Sequence, residues 1–571
     1  MNRSQRRAAA RHDRRRKVTA LGSAAILASA GAGAAVVLTS TAASANATIV
    51  VDSLTDDGSG GTTLREAINQ ANTDSGQDEI TFSVTGTITL IANLPGITDA
   101  LHITGPGASS LTIDGVDQYR VFSFQYIDTS YGTNAVSGLT ITHGNADGNN
   151  PDDSGGAIQL YHGDAEMTIS DVVLTDNYSG NDGGAIQFSN FDGDATITRA
   201  TVTDNYSVEG GGGLYVDSDT GMALTIVDSI FTGNTAGSDG GGLYFDGDIT
   251  SVTIVDSVIS GNTAGVSGGG IKSYAPLTIV GTTIADNTAI AEGGGGIWLY
   301  DAPLVMANST VSGNSAGGYG GGLYLYGAVT IVQSTISDNT AGQNAGGVYV
   351  GASAGAAILL STITDNEATG PVSGGGNALA GGILIGGGSP LVLSERHRAR
   401  ASETNDKGEA KTRGPRTTAA PIPPGTVQAI GVIVAGNTGN DVGSYGDPAG
   451  AVTVQSLGSI LGTVDTPLVT VTDAGGTQTG VTAAALKLGP LADNGGPTQT
   501  HALLPGSVAI DAGPAAADLP TFDGSEYDQR GAGYVRVVNG KVDVGAYEVQ
   551  TLPAPGPTPE PEPTPEPTFT G

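Results

Sequence analysis

Apolar and polar residues alternate with a period of two through most of this chain, in short runs punctuated by glycine and asparagine. Val329 and Ile331, then Ser334 and Ile336, then Val348 and Val350 each flank a residue that must face the other way, so one repeat reads as three short strands. The stretch STISDNTAGQNAGGVYV from Ser334 has the cadence of STVSGNSAGGYGGGLYL from Ser309. Anchored on asparagine, the repeats fall at Asn177, Asn205, Asn234, Asn262, Asn287, Asn314, Asn339 and Asn366, spaced 28, 29, 28, 25, 27, 25 and 27 apart. A period in that range marks a stacked array. Three residues before each Asn stand Leu174, Val202, Phe231, Ile259, Ile284, Val311, Ile336 and Ile363; eight before it stand Ile169, Ile197, Ile226, Ile254, Ile279, Met306, Ile331 and Ile358.

A unit with so few large apolar residues cannot bury them alone. If each coil lies on the last, like side chains stack into a continuous core and every backbone group pairs with the neighbouring coil. The expected fold is therefore all-β: a right-handed single-stranded parallel β-helix, or solenoid, with three short strands per coil, its hand following the crossover preference of parallel strands. About twelve coils between Ile49 and Val469 would make a rod about 55 Å long. Isoleucine recurs because a β-branched side chain fills a stacked strand, and glycine pairs recur where the coil turns sharply. The Asn amide both donates and accepts, so it can build an internal ladder from coil to coil. A glycosylation reading of these asparagines is weaker, since only Asn177 and Asn205 sit in N-x-S triplets. An open coil end needs a lid, and TTLREAINQAN supplies one: Thr63 as N-cap, Glu66 three residues on, and Leu64, Ala67, Ile68 and Ala71 on one face of a short capping helix.

Composition narrows the chemistry. The 571 residues hold 91 Gly and no Cys, which excludes disulfides and thiolate catalysis. Residues 1–45 carry eight basic side chains, an apolar small-residue run from Leu21 to Leu38 and ASA at Ala43 to Ala45, the layout of an export signal of the Sec or twin-arginine kind. The formal net charge of -33 makes nucleic acid and anionic membrane surfaces poor partners. The expected organisation after the leader is a cap with the first coils (46–140), repeats of about 27 residues (141–393), a disordered charged insertion (394–425), the last coils (426–485), a closing domain (486–549) and a Pro/Glu-rich tail (550–571). No membrane span is expected in the mature chain.

TTLREAIN resembles the motif that opens secreted bacterial β-helix proteins of the CSLREA type, with Thr62 where the name-giving Cys would stand. GGAI at Gly155 and Gly183 and FTGN at Phe231 resemble the GGAI and FxxN repeats of polymorphic outer membrane proteins. LADNGGPTQTHALLPGSVAIDAG, DQRG and VDVGAYE look like the choice-of-anchor Q domain. The resemblance implies a bacterial secreted or cell-surface β-helix and says little about activity. No membrane barrel or sorting anchor follows Pro553 in this sequence, and LPAPG lacks the Thr that transpeptidation needs.

Many right-handed β-helices act on pectin-like polysaccharides, which sets a residue-level test. A hydrolase needs a group of carboxylates and cationic groups for a sugar acid; Asp152, Asp153, His162 and Lys272 occur in a suggestive order but lack the flanking residues of such a site. A lyase needs a strong base, and between Ile49 and Leu393 only Arg65, Arg120, Arg199 and Lys272 are available. No cofactor and no catalytic metal are indicated, although acidic turns could bind calcium loosely. Arg530, Asp511, Asp543 and Glu548 read as a buried ion-pair lock.

Two classes of function remain. The favoured one is an exported, non-catalytic surface or adhesin-like protein that binds an extracellular glycan or cell-surface component; the alternative is a polysaccharide-active enzyme, pectate lyase-like or a glycoside hydrolase, with an unrecognised site. The candidate binding surface is an exposed aromatic strip on the third strand, with Tyr215, Tyr244, Trp298, Tyr324 and Tyr349 in one outward slot and Tyr274, Tyr300 and Tyr326 in the next, rings repeating from coil to coil. Gln159, Gln187 and Lys272 share its register.

Overall fold

The computed structural model describes residues 47–74, 76–148, 153–351, 355–370, 379–386, 425–445, 452–466, 468–522 and 524–550. The expected leader (1–45) and nearly all of the insertion (394–425) and of the tail (550–571) lie outside the described residues. The chain is an all-β parallel solenoid of about 13 turns.

One coil shows the plan. Strand one is Leu277–Val280, strand two Thr283–Ala285, a two-residue strand follows at Thr288–Ala289, and strand three is Ile297–Tyr300. Leu304–Ala307 then begins the next coil by pairing in parallel with Leu277–Val280. Strand two repeats into a 14-stranded sheet and the two-residue strand into an 8-stranded one. Strands one and three belong to one 24-stranded sheet, because Leu214–Val227 and Leu243–Val255 each run from strand three into strand one without a break. The two-residue strand is an addition to the three that periodicity implies. It is too short to show an alternation, and only its inward alanine, Ala289 in this coil, marks it.

The two apolar columns are the core. Ile169 through Ile358 and Leu174 through Ile363 are all fully buried, and each stacks on its counterpart in the next coil. The asparagines stand two residues beyond the end of strand two and form a buried ladder. Asn287 donates its Nδ2 to Oδ1 of Asn314 at 2.9 Å, and Asn314 donates to Asn339 at 2.9 Å. Each Oδ1 also accepts the backbone N–H of the preceding Asn, at 3.0 Å for Asn287 onto Asn314. The residue before each ladder Asn is always Asp or Gly, from Asp176 to Asp365, with φ between 56° and 67°. Left-handed backbone is what turns the strand there, and Asp and Gly tolerate it.

The glycine turn before strand three has two separate requirements. Gly268 holds φ at +68°, whereas Gly269 is forced by space: a Cβ there would lie 2.5 Å from the Gly295 carbonyl oxygen of the next coil. At the N-terminal end the helix Leu64–Ala71 has Thr63 as N-cap with a reciprocal Glu66 bond, and buries Leu64, Ala67, Ile68 and Ala71. Arg65 ties it down by a bidentate bond to Asp56, at 3.0 and 2.6 Å.

After the last coil pairings, which reach Asp473 and Thr479, the chain does not continue as a solenoid. It folds back along the flank and packs on strand two of earlier coils. The Thr335 hydroxyl donates to Gln529 Oε1 at 2.7 Å, and Gln529 Nε2 donates to Thr310 Oγ1 at 3.0 Å. The Gly545 N–H reaches the Gly431 carbonyl at 2.8 Å, and Ala546 N–H reaches the Thr362 hydroxyl at 3.0 Å. Ile433, Ile460, Leu486, Leu503, Ala509 and Val544 close the seam as a small apolar core.

Inside this segment the ionic lock differs from the expected one. Arg530 pairs with Asp528 at 2.6 Å and lies between the rings of Tyr534 and Tyr547, 3.9 and 3.8 Å from their centroids. The base facing Glu548 is Arg536, fully buried, at 3.8 Å. Asp543 accepts the backbone N–H groups of Asp511 and Val549 at 2.7 Å each. Burial outweighs these partners and raises the Glu548 carboxyl from 4.5 to about 8.

Two predictions follow from this packing. Ile284→Asp puts an unpaired charge in the stack and should cost roughly 3–5 kcal/mol, whereas Thr283→Asp, half-exposed on the outer face, should cost under about 1 kcal/mol. Urea unfolding of both variants reads the difference, and equal costs would mean that the register is wrong. Because the folded value of Glu548 lies above its ordinary one, the stabilisation it contributes is complete below about pH 4.5 and is lost as pH rises through about 8. Glu548→Gln should therefore flatten the fall in thermal midpoint expected of the native chain between about pH 4.5 and about pH 8. Parallel slopes for the two proteins would remove Glu548 from the account.

Candidate functional site

Strand three presents two outward rows. In the first, Gln159, Gln187, Tyr215, Tyr244, Lys272, Trp298, Tyr324 and Tyr349 pair in unbroken register. In the second, Gln125, Tyr161, Ser189, Asp217 and Asp246 pair in succession, and Tyr300 pairs with Tyr326 further along.

The aromatic strip is assembled but it is not exposed. Tyr215, Tyr244, Tyr274, Trp298, Tyr324, Tyr326 and Tyr349 form a second apolar cluster, each 9 % exposed or less, and only Tyr300 is half-buried. The rings lie down on the glycine turns instead of standing away from the sheet. A Cβ on Gly210 would lie 2.5 Å from the Tyr244 ring, one on Gly293 3.1 Å from Tyr324, and one on Gly351 2.4 Å from Tyr326. They also cover one another: Trp298 stacks on Tyr324 at 6.2 Å, Tyr324 on Tyr349 at 4.8 Å, and Tyr274 meets Trp298 edge-on at 5.4 Å. Burial, with nearby Asp182, Asp217 and Asp246, holds the Tyr215 phenol far above its ordinary value.

Lys272 sits within this cluster with no exposed surface. Its Nζ is 2.8 Å from Asp239 Oδ2 and 4.8 Å from the Trp298 ring centroid, with the Tyr244 and Tyr274 rings at 5.3 and 5.7 Å. Ser267 donates to the other Asp239 oxygen at 2.7 Å. This is an internal ion pair in an aromatic cage.

The polysaccharide-cleaving constellation does not come together. His162 is in the coil of Gln159, four coils from Lys272, roughly 19 Å along the axis. Asp153 uses its carbonyl oxygen to accept from Ser179 and Asn181 at 2.9 Å each, and Asp152 lies outside the described residues. The four bases are each engaged or buried: Arg65 with Asp56, Arg199 with Asp171, Lys272 with Asp239, and Arg120 at 5 % exposure. Among the described residues no three His, Asp or Glu side chains converge in a way that could hold a metal ion. No helix among them is long and apolar enough to cross a membrane.

A different aromatic group does reach solvent. Tyr126 is 57 % exposed and stacks on His162 at 5.2 Å with an interplanar angle of 15°; Tyr161 meets His162 at 4.3 Å. Tyr126 and His162 occupy the corner that follows strand three, with φ of +59° and +53°. The next two coils put Asn190 and Ser218 near this corner, and the third puts Gly247 there at +79°. Asn or Gly would be the unstrained choice, so two bulky rings there are held against their backbone preference. Sequence reading singled out His162 as a catalytic candidate and missed Tyr126. The available signal was the matching position of Tyr126 and His162 at the ends of two adjacent strands, FSFQYI and IQLYHG.

The buried cluster makes its own prediction. Trp298→Ala should cost about 3–5 kcal/mol, as a large core truncation does. Lys272→Met leaves Asp239 buried without its counter-charge and should cost about 3–5 kcal/mol, and adding Asp239→Asn should restore most of it. Denaturant unfolding of the single and double variants decides, and equal stability of Lys272→Met and the native chain would contradict a buried pair.

The family comparison agrees with this architecture. Residues 236–394 match the family model described as right handed beta helix region. No curated protein matches the chain. Among solved structures, the A-module of mannuronan C-5 epimerase AlgE4 from Azotobacter vinelandii is similar at 13 % identity and TM-score 0.35, over 73 % of this chain and 93 % of that one. The AlgE6 A-module from the same organism is similar at 10 % identity and TM-score 0.32, over 73 % and 94 %. Pectate lyase Pel9A is similar at 13 % identity and TM-score 0.33, over 88 % and 97 %. The middle of the rod thus carries a right-handed β-helix region, and the chain is a right-handed parallel β-solenoid.

Proposed function

We propose that this chain is an exported, non-catalytic β-helix protein that binds a glycan of a cell surface or extracellular matrix along the flank of strand three. The observation that carries the reading is the exposed Tyr126 stacked on the half-buried His162 at left-handed corners, with Tyr161 beside it. Flat aromatic faces stack on the apolar face of a sugar ring, and a strained corner is retained where the side chain has a use. From Tyr161 the second outward row continues through the buried Ser189 to the half-exposed Asp217 and Asp246, one residue per coil, so two carboxylate acceptors stand about 4.8 Å apart along the axis. That geometry fits an extended polymer lying parallel to the rod. The buried strip serves as the rigid floor beside this row and does not touch the ligand.

Electrostatics narrow the ligand class. The nearest base in the neighbouring row, Lys272, is fully buried and neutralised by Asp239, while Asp217 and Asp246 are half-exposed. A polyuronate would meet like charge along this row, so the ligand is a neutral or amino-sugar polymer. A glycan array that contains neutral, amino-sugar and uronate polymers tests this reading. The native chain should bind the first or second class, and Tyr126→Gly with His162→Gly should bind at least tenfold more weakly while the thermal midpoint holds. Binding that survives in the folded double variant would overturn the site. Release of reducing ends or unsaturated products from any polymer on the panel would overturn the non-catalytic assignment.

A further inference from the structure

The outer face of strand one is uncharged over seven successive coils. Its first file reads Thr168, Thr196, Thr225, Thr253, Thr278, Val305 and Thr330; its second reads Ser170, Thr198, Val227, Val255, Val280, Ala307 and Val332. The pairing across these seven coils is continuous, and none of the 14 positions is charged. The chain as a whole carries 56 Asp+Glu, and the corner that follows the second file holds Asp171, Asp228 and Asp256, with Arg199 there paired to Asp171 at 2.7 Å. Thr168, Thr196 and Val305 are exposed, and all the others are half-exposed except Val332, which is buried.

High β-propensity alone would put threonine and valine on such a strand. Two further observations go beyond propensity. First, the hydroxyls of Thr168, Thr196, Thr225, Thr253, Thr278 and Thr330 make no hydrogen bond within the described residues, whereas on strand two Thr175 and Thr203 are bonded to Asp176 and Asp204 at 2.8 and 2.9 Å. The strand-one file therefore offers its hydroxyls to solvent as a set. Second, the array is regular in two dimensions. Hydroxyl and methyl groups repeat about every 4.8 Å along the rod, for about 29 Å, and the two files stand about 6.7 Å apart, twice the rise per strand residue. Fixed backbone pairing on both sides and the packed isoleucine column beneath keep that lattice rigid.

We infer that this face binds ice. A crystal of water is neutral, excludes ions, and presents oxygen rows at fixed spacings. The protein surface that fits it must be flat, rigid, free of charge, and furnished with methyl groups that order water and hydroxyls that join its hydrogen-bond network. Strand one supplies the uncharged, unbonded files; strand three carries Asp217 and Asp246, and on strand two the hydroxyls of Thr175, Thr203 and Thr232 are already bonded to Asp176, Asp204 and Ser260 and the folded-back segment covers the strand from Thr310 onward. The ligand is ordered water at the surface of an ice crystal, and no residue of the glycan site takes part.

Ice-crystal shaping, inhibition of ice recrystallisation and adsorption of the fluorescently labelled chain to a single-crystal ice hemisphere are the measurements. The native chain should adsorb and shape crystals. Thr225→Lys with Thr253→Lys, which places two charges in the middle of the first file, should need at least a tenfold higher concentration for the same inhibition. Thr253→Tyr, which adds bulk without charge, should act in the same direction and decides the matter if the lysine pair does not fold. Tyr126→Gly with His162→Gly should leave adsorption unchanged, so the two sites stand or fall separately. Failure of the native chain to adsorb to ice, or adsorption by the folded variants equal to the native level, would overturn the inference.

Discussion

Everything in this molecule depends on the register between one coil and the next. A coil of about 27 residues with a handful of apolar side chains has no fold of its own, and its backbone groups are satisfied only by the coils above and below. The asparagine ladder is where that dependence is most exacting. Each amide oxygen accepts two bonds from the preceding Asn, and each Nδ2 donates forward to the next amide and back to a carbonyl such as Ile284 O for Asn314, at 2.9 Å. Deleting one side chain would orphan two donors and an acceptor at once in a fully buried place. A shift of one residue would do the same while turning the isoleucine column out to solvent. The ladder and the column therefore specify a single alignment together.

The ladder also explains how the rod tolerates interruption. Asn366 bonds to Asn437 at 2.9 Å across 71 residues, so the coil resumes in place after a long excursion. Strand two agrees, since Thr362 pairs with Ile433. The ladder ends on a carboxylate. Asp441 accepts from Asn437 through one oxygen at 2.9 Å and from the Thr463 N–H through the other at 2.7 Å. A carboxylate only accepts, so it closes a series in which every member must donate onward.

What the sequence disclosed and what it hid follow the same division. Inward positions repeat under one constraint, so the columns at Ile284 and Ile279, the ladder, the glycine turns and the Thr63–Glu66 cap were legible from spacing alone. Asn437 was hidden because the excursion breaks the period. The two-residue strand was hidden because alternation needs more than two positions to show. Outward positions were read less well, since periodicity tells which way a residue leaves the sheet and not whether something then covers it. Tyr324 leaves outward as expected and is nevertheless 6 % exposed, because a missing Cβ at Gly293 gives its ring a place to lie. The return of residues 486–549 along the flank involves pairs as distant in sequence as Thr335 and Gln529, which no local pattern connects.

Register also amplifies chemistry, because one residue choice repeated per coil becomes a whole face. A buried aromatic layer, an uncharged threonine–valine plane and a polar row arise from different outward slots of the same units. The acidity of the chain has a structural source within this scheme. Among the described residues eleven aspartates occupy left-handed backbone positions, most of them at the corners between strands. Such corners admit Gly, Asn or Asp, whose short side chains can bond locally, as Thr175 does to Asp176 at 2.8 Å. Among these, Asp alone adds charge. A solenoid has long flat flanks that invite sideways association, and lines of carboxylate along its edges oppose it. The negative charge thus sits where the backbone admits it and where it keeps rods apart, which leaves the strand faces between the corners free to be neutral.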